Sequence, residues 1–257
     1  MKKNSSSITL AQTSRGVWGL DTVKGCKYGM KLHKNGCYGA CYAKSIADRY
    51  GYDFSDSTLR RFGSAKHLEN IISGIKSSKS DFVRVGIIGD PSECWGHTID
   101  ICDKIKSAGK KVVLITKHWE PLPDYLYEKV NRLGLIINTS VSALDSDKLI
   151  RHRLNEYRKL KEICTSVLRV VSCDFNLNSI NGLICNEIQE SLFDNENVID
   201  TVLRVSDNHY LVRDCTINIE SKEFLSGKTR ASMKNKNTHF GYCSKCSDRC
   251  GTGFKNE

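Results

Sequence analysis

At 257 residues with a formal net charge of +10, from 39 Lys and Arg against 29 Asp and Glu, the chain is long enough to bury a substantial core. It reads as one domain of about 200 residues with a small appendage. Twelve cysteines are far above ordinary usage, yet no apolar signal core follows Met1, Lys2 and Lys3, because residues 4–7 are polar. A cytoplasmic location is therefore expected, where clustered cysteines point to metal ligation or redox chemistry rather than disulfides; no run approaches the ~18 apolar residues of a membrane span.

Short apolar, β-branched runs alternate with helix-length amphipathic segments, the pattern of repeated βα units. Strands are expected at Val17 to Val23, Phe82 to Ile88, Lys111 to Thr116, Leu135 to Val141, Ser166 to Val171 and, more weakly, Val198 to Val205. Each is nearly continuously apolar, as parallel strands covered on both faces require. Helices are expected at Ala43 to Tyr50, Ser64 to Ile75, Thr98 to Ser107, Asp124 to Leu133, Asp147 to Ile163 and Ser179 to Leu192. In the third of these Ile99, Cys102 and Ile105 recur at helical spacing, which makes Cys102 a buried small hydrophobe; Cys164 and Cys173, at the fifth strand, read the same way. Six strands with intervening helices fit either a partial (βα)6 barrel or an open parallel sheet, with right-handed crossovers in both. From Lys222 to Asn237 the pattern dissolves into Lys, Asn, Ser and Gly, which reads as a mobile linker. The division expected is residues 1–214 as the α/β unit and 215–257 as linker and cysteine-rich tail.

Three cysteines lie early in the chain. Cys26 follows Gly25, and Cys37 and Cys41 sit in Gly36-Cys37-Tyr38-Gly39-Ala40-Cys41-Tyr42-Ala43. Thiolates so spaced, between glycines, can fold back around an ion or cluster, and three of them leave one coordination position for something else. Spacing alone leaves a closed zinc site, with His33 as fourth ligand, equally open. Around this loop, from Met1 to Lys44, eight Lys or Arg face a single acid, Asp21. Such a surplus attracts a polyanion such as nucleic acid, or offsets the charge of a thiolate-bound cluster, or is merely a solvated basic surface.

The loop resembles the cluster loop of radical S-adenosylmethionine proteins related to spore photoproduct lyase, and of phage-encoded "gene product" families that share its Cys-Tyr-Ala ending. Further matches follow in the same order. Val83-Arg84-Val85-Gly86 leading to Asp90-Pro91-Ser92-Glu93 resembles the second-strand motif of that group, Ile115-Thr116-Lys117 its third-strand ending, and Asn138-Thr139-Ser140-Val141-Ser142 its fourth-strand segment. The resemblance spans roughly Val17 to Asp174. The gaps between the cysteines here, ten and three residues, are longer than in the usual loop, and Ala40 rather than an aromatic precedes Cys41.

The resemblance implies a partial (βα)6 barrel in which Cys26, Cys37 and Cys41 hold a [4Fe-4S] cluster that binds S-adenosylmethionine. Reduction would then yield a 5′-deoxyadenosyl radical, drawing on an electron donor such as flavodoxin or ferredoxin. Cofactor-facing residues are expected at the C-terminal ends of the strands: Gly89, Asp90 and Glu93 after the second, Thr116 and Lys117 at the third, Ser140 and Ser142 at the fourth. Each has a plainer reading. Gly89-Asp90-Pro91 is also a turn and helix cap, Lys117 a solvated strand end, Ser142 the start of a turn. His97 and His118 are read as structural, and Cys94 as a packed residue that lies near the cofactor mouth.

A second group, Cys243, Cys246 and Cys250, is compact enough to bind zinc or an auxiliary iron–sulfur cluster, with Cys215 or His239 completing the set. Two functions follow. The first is a radical S-adenosylmethionine enzyme with a substrate that includes nucleic acid among its candidates. The alternative is a non-enzymatic nucleic-acid-binding protein in which both cysteine groups hold structural zinc. A cluster-bearing oxidoreductase that uses no S-adenosylmethionine is a third, smaller reading.

Overall fold

The computed structural model describes residues 7–13, 15–224 and 227–254; Lys2 and Lys3 of the basic amino-terminal stretch lie outside them. Six parallel strands lie side by side in chain order: β2 (Trp18–Leu20), β5 (Phe82–Val85), β6 (Lys111–Thr116), β7 (Ile136–Val141), β8 (Thr165–Ser172) and β10 (Val198–Arg204). They coincide with the six apolar runs expected from the sequence. The apolar, β-branched composition explains why: every residue of β7 is buried, so the strand is covered on both faces.

The sheet continues beyond these six. β1 (Ala11–Gln12) pairs antiparallel with β2, while β13 (Gly227–Ser232) pairs antiparallel with β10 and β12 (Glu220–Phe224) with β13. The result is a nine-stranded α/β sheet, mostly parallel, with β1 and β12 at its ends and no pairing between them among the described residues. Four short strands complete the set: β3 (Val23–Lys24) with β4 (Thr58–Leu59), and β9 (Asp174–Phe175) with β11 (Ile217–Asn218).

The strands β12 and β13 correct one expectation. Residues 222–237 were to be a linker, but most of 220–232 is strand. The free edge of β10 offers a row of N–H and C=O groups that gains by pairing, and Ala231 and Ser232 are fully buried where β13 covers it. The segment is polar because at a sheet margin much of it faces water, and that polarity hid the strands.

Among the described residues eight helices connect the sheet: α1 (Lys27–Leu32), α2 (Tyr42–Tyr50), α3 (Ala65–Ser77), α4 (Trp95–Lys106), α5 (Tyr127–Leu133), α6 (Asp147–Lys161), α7 (Ile180–Phe193) and α8 (Tyr210–Arg213). Serine caps start two of them: Ser64 accepts from the His67 N–H, and Ser179 from that of Gly182. One face of the sheet packs Val83, Val85, Val112, Leu114 and Ile137 against Ile71 and Ile75 of α3, Ile99, Cys102 and Ile105 of α4, and Val130 of α5. Cys102 and Cys164 are buried in this cluster and Cys173 in a neighbouring one, as small hydrophobes. No helix is long and apolar enough to cross a membrane among the described residues.

The second face is covered differently. Val17, Phe82, Val113, Ile136, Val167 and Ile199 pack there against Cys243, Cys250 and Phe254. Phe82, Ile136 and Ile199 belong to the first two positions of their strands, so the carboxy-terminal segment covers this face of the sheet from its N-terminal end. It is fastened by Lys111 Nζ to the Thr252 carbonyl (2.7 Å), Arg15 Nε to the Gly241 carbonyl (2.8 Å) and an ion pair between Arg249 and Asp81.

Candidate functional site

Cys26 leaves β3 and caps α1. Its backbone N–H donates to the Phe54 carbonyl (2.8 Å), and its Sγ accepts from the Gly29 N–H (3.3 Å). Gly29 is the pivot of the site. A Cβ there would lie 3.0 Å from Cys26 Sγ and 3.2 Å from Cys37 Sγ, so the sulfurs are no farther apart than the sum of those distances. The space between the two thiols exists because this helical residue has no side chain. Cys37 opens a 3-10 turn (Cys37–Gly39), and half-buried Cys41 caps α2.

The turn is held from three strand ends. Tyr38 takes φ 56°, an uncommon value for a residue with a side chain. Its hydroxyl donates to Asp145 Oδ2 (3.0 Å), beyond β7, and Lys117, beyond β6, reaches the same hydroxyl with its ammonium 4.3 Å from the ring centre. Its carbonyl accepts from His209 Nε2 (2.8 Å), beyond β10, while His209 Nδ1 accepts from the Leu211 N–H (3.3 Å), which defines a neutral Nε2–H imidazole. Asp145 forms an ion pair with Arg153 of α6, both side chains almost wholly buried; Arg153 Nε donates to the Lys117 carbonyl (2.7 Å) and the Ser142 N–H to Asp145 Oδ2 (2.9 Å).

Burial dominates the thiols. It pushes Cys37 up to about 11, against the pull of Lys117 and Arg153. Cys26 is raised further, by burial first and then by Asp90, Cys37 and Glu93. Both are protonated at neutral pH, so a metal must displace their protons to bind. The adjacent cations Lys117 and Arg153 favour the thiolate that results.

The expected cofactor residues fall into two groups. Asp90 Oδ1 accepts from the Ser92 N–H (3.0 Å), Ser92 Oγ (2.7 Å) and Thr116 Oγ1 (2.6 Å), and Oδ2 from the Lys117 N–H (2.7 Å). Asp90 and Thr116 thus staple the end of β5 to the end of β6. Ser142 Oγ donates to the Val171 carbonyl (2.7 Å) and accepts from the Leu144 N–H, an ordinary turn. Gly89 abuts β3, where a Cβ would sit 1.9 Å from the Val23 carbonyl oxygen. Glu93, Lys117 and Ser140 differ. Both Glu93 oxygens are buried without a hydrogen bond of good geometry. Burial raises its pKa, and the Ser57 hydroxyl and Cys26 thiol stand beside it. Lys117 presents its ammonium to the cysteine turn, and Ser140 is buried on β7.

His33 Nδ1 accepts from the Asn35 N–H (3.0 Å) and the ring stacks on Tyr210. His97 bonds the Arg60 carbonyl (2.8 Å). His118 is wholly buried with neither ring nitrogen hydrogen-bonded, and burial pushes it down to about 3.

In the second group Cys243, Cys246 and Cys250 line one cavity together with His239 and several arginines. Cys215 does not line it: exposed, just past α8, it points to the Arg213 carbonyl. Arg169 Nη2 donates to Cys250 Sγ (3.3 Å) and Asn138 Oδ1 (3.0 Å), and Asn138 Nδ2 to the Cys250 carbonyl (3.0 Å). Burial alone would raise Cys250, but Arg169 and Arg84 outweigh it and the thiol is lowered.

Sequence reasoning missed Asp21, Asp145 and Arg153. Asp21 Oδ1 accepts from the Ile87 (2.5 Å), Ile88 (2.8 Å) and Gly89 (3.4 Å) N–H groups and so shapes the loop after β5. Being the one acid in a basic stretch was its available signal. Among the described residues no three His, Cys, Asp or Glu side chains stand close enough together to grip a metal ion as they are. The fit at the first group rests on donor chemistry: three thiols on either side of α1, two of them facing the same glycine, with two cations beside them. No protein-family model, no curated protein and no solved structure matches this chain.

Proposed function

We propose that the chain is a radical S-adenosylmethionine enzyme built on a partial (βα)6 barrel, with a [4Fe-4S] cluster on Cys26, Cys37 and Cys41. The observation that carries this reading is that the turn from Cys37 to Gly39 is tied beyond the C-terminal ends of β6, β7 and β10, three of six parallel strands in chain order. Sites in sheets of this kind lie at that end. When bound, the cluster would supply the electron that splits S-adenosylmethionine into methionine and a 5′-deoxyadenosyl radical.

The chain's own residues have distinct parts in this proposal. Cys26 and Cys37 hold the site across Gly29, and Cys41 moves inward from its half-buried position as the third ligand. Lys117 and Arg153 compensate thiolate charge, while Asp145 and Tyr38 fix the turn. The buried Glu93 carboxylate takes the amino group of the methionine moiety, with Ser140 as a hydroxyl partner. Asp90, Thr116, Gly89 and Ser142 shape the rim rather than bind through free side chains. Cys243, Cys246 and Cys250 form a second metal site, zinc or an auxiliary cluster, with His239 better placed than Cys215 to complete it. An electron donor such as flavodoxin or ferredoxin is required.

One observation supports a nucleic-acid ligand, as substrate or, in the second reading, as the partner of a zinc-stabilised binding protein. Beside the cysteine loop Tyr28 and Trp119 stack at 6.0 Å in a groove lined also by Lys31, Lys148 and His152. Aromatic platforms flanked by lysines suit unstacked bases.

The direct test is reduction of anaerobically purified, iron-loaded protein with S-adenosylmethionine. Release of 5′-deoxyadenosine is expected. A protein that holds only zinc at both groups, releases no nucleoside and binds single-stranded nucleic acid with steep salt dependence would favour the second reading.

A further inference from the structure

The interior of the sheet below Tyr42 holds positive charge that the protein does not cancel. A cavity of about 60 Å³ lies there; one water needs about 10–15 Å³ on the same measure, so a group of several heavy atoms fits. The four arginines Arg15, Arg84, Arg169 and Arg204 line it, together with Arg249, which is paired to Asp81, against the carboxylates of Asp200 and Asp248. Among the described residues no carboxylate forms an ion pair with any of these four arginines. Arg169 donates to Thr201 Oγ1 (2.7 Å), Asn138 and Cys250, yet its Nε is buried and without a partner, as is Nε of Arg84. Arg204 lies 5.5 Å from the ring centres of both Tyr42 and Phe224. Three thiolates holding a divalent ion would add one negative charge and leave the surplus positive.

Buried guanidiniums are retained where an anion completes them. The four here come from β5, β8, β10 and the segment before β2, and converge on one cavity. A planar carboxylate satisfies one or two such forks; a tetrahedral dianion presents oxygens in every direction. We propose that this cavity binds the phosphate group of a small phosphorylated molecule, held by Arg84 and Arg204 with Arg15 at its margin. Because the carboxy-terminal segment covers this face of the sheet from its N-terminal end, a terminal phosphate fits better than a continuous nucleic-acid backbone.

The test is calorimetric titration of the full-length protein with inorganic phosphate at low ionic strength, beside sodium chloride of matched ionic strength and adenosine monophosphate. Saturable phosphate binding is expected, weakened by at least about tenfold in Arg204→Gln and in Arg15→Gln and unchanged in Arg230→Gln at the surface. Tighter binding of the monophosphate would identify the phosphate as the handle of a larger ligand; equal binding would identify the free ion. Absence of saturable binding, or wild-type affinity in both folded Arg204→Gln and Arg15→Gln proteins, would overturn the proposal. These readouts need neither iron nor S-adenosylmethionine, so their failure and the failure of the radical reading are separate events.

Discussion

The two cysteine groups sit at opposite ends of the same strands and in different electrostatic surroundings, although burial raises Cys243 of the second group as it raises Cys26 and Cys37 of the first. At the C-terminal ends, Cys26 and Cys37 are buried among apolar and acidic neighbours that hold them protonated, with Lys117 and Arg153 compensating only in part. At the N-terminal end, the guanidiniums of Arg169 and Arg84 pull Cys250 the other way. A thiol kept neutral until metal arrives suits a centre whose charge changes during a reaction. A thiol that neighbouring guanidiniums pull below its ordinary value, inside a layer that covers one face of the sheet, suits a site that holds structure.

The largest difference should appear on removing a ligand. Cys37→Ala is expected to abolish S-adenosylmethionine cleavage by at least about a hundredfold, with the melting temperature little changed. Cys250→Ala should destabilise the fold by about 1–3 kcal/mol in denaturant titration, because it loosens the layer over Val113 and Val167. If Cys250→Ala instead left stability unchanged, the structural role given to the tail would be wrong.

Next is Arg153→Ala, which leaves Asp145 buried without its partner; a loss of about 3–5 kcal/mol is expected, and Asp145→Asn should lose less. Denaturant unfolding of the two variants checks the order.

His118 gives a pH signature. Its folded pKa, about 3, lies below its ordinary value of 6.5, so between those values the unfolded chain binds a proton that the folded chain refuses. Stability is therefore full above pH 6.5 and falls as pH drops toward 3, by at most about 1.4 kcal/mol per pH unit. His118→Asn, which tolerates the φ of 46° at this position, should flatten that slope.

The smallest effect expected is at Arg169. In Arg169→Gln the thiolate absorbance attributable to Cys250 should titrate at a higher pH than in the wild type, with no change at Cys37.

The six parallel strands were legible because burial on both faces demands continuous apolar runs, as in Ile136 to Val141. The helices were legible through caps such as Ser64 and Ser179 and through spacing such as Ile99, Cys102 and Ile105. The antiparallel margin at 220–232 was not, since strands that face water carry lysine and serine like a loop. At the candidate site the cysteine loop announced itself by its glycines. Asp145 and Arg153 did not: a charged residue on an amphipathic helix looks the same whether it meets solvent or a buried carboxylate. That Gly29 separates the two sulfurs depends on the turn of α1 and cannot be read from spacing.

The most direct test of the account is iron and acid-labile sulfide analysis of anaerobically reconstituted protein, wild type beside a Cys26→Ala, Cys37→Ala, Cys41→Ala triple variant. The account predicts that the folded variant loses about four irons and four sulfides, the content of one [4Fe-4S] cluster. Equal iron and sulfide in the two proteins would contradict it.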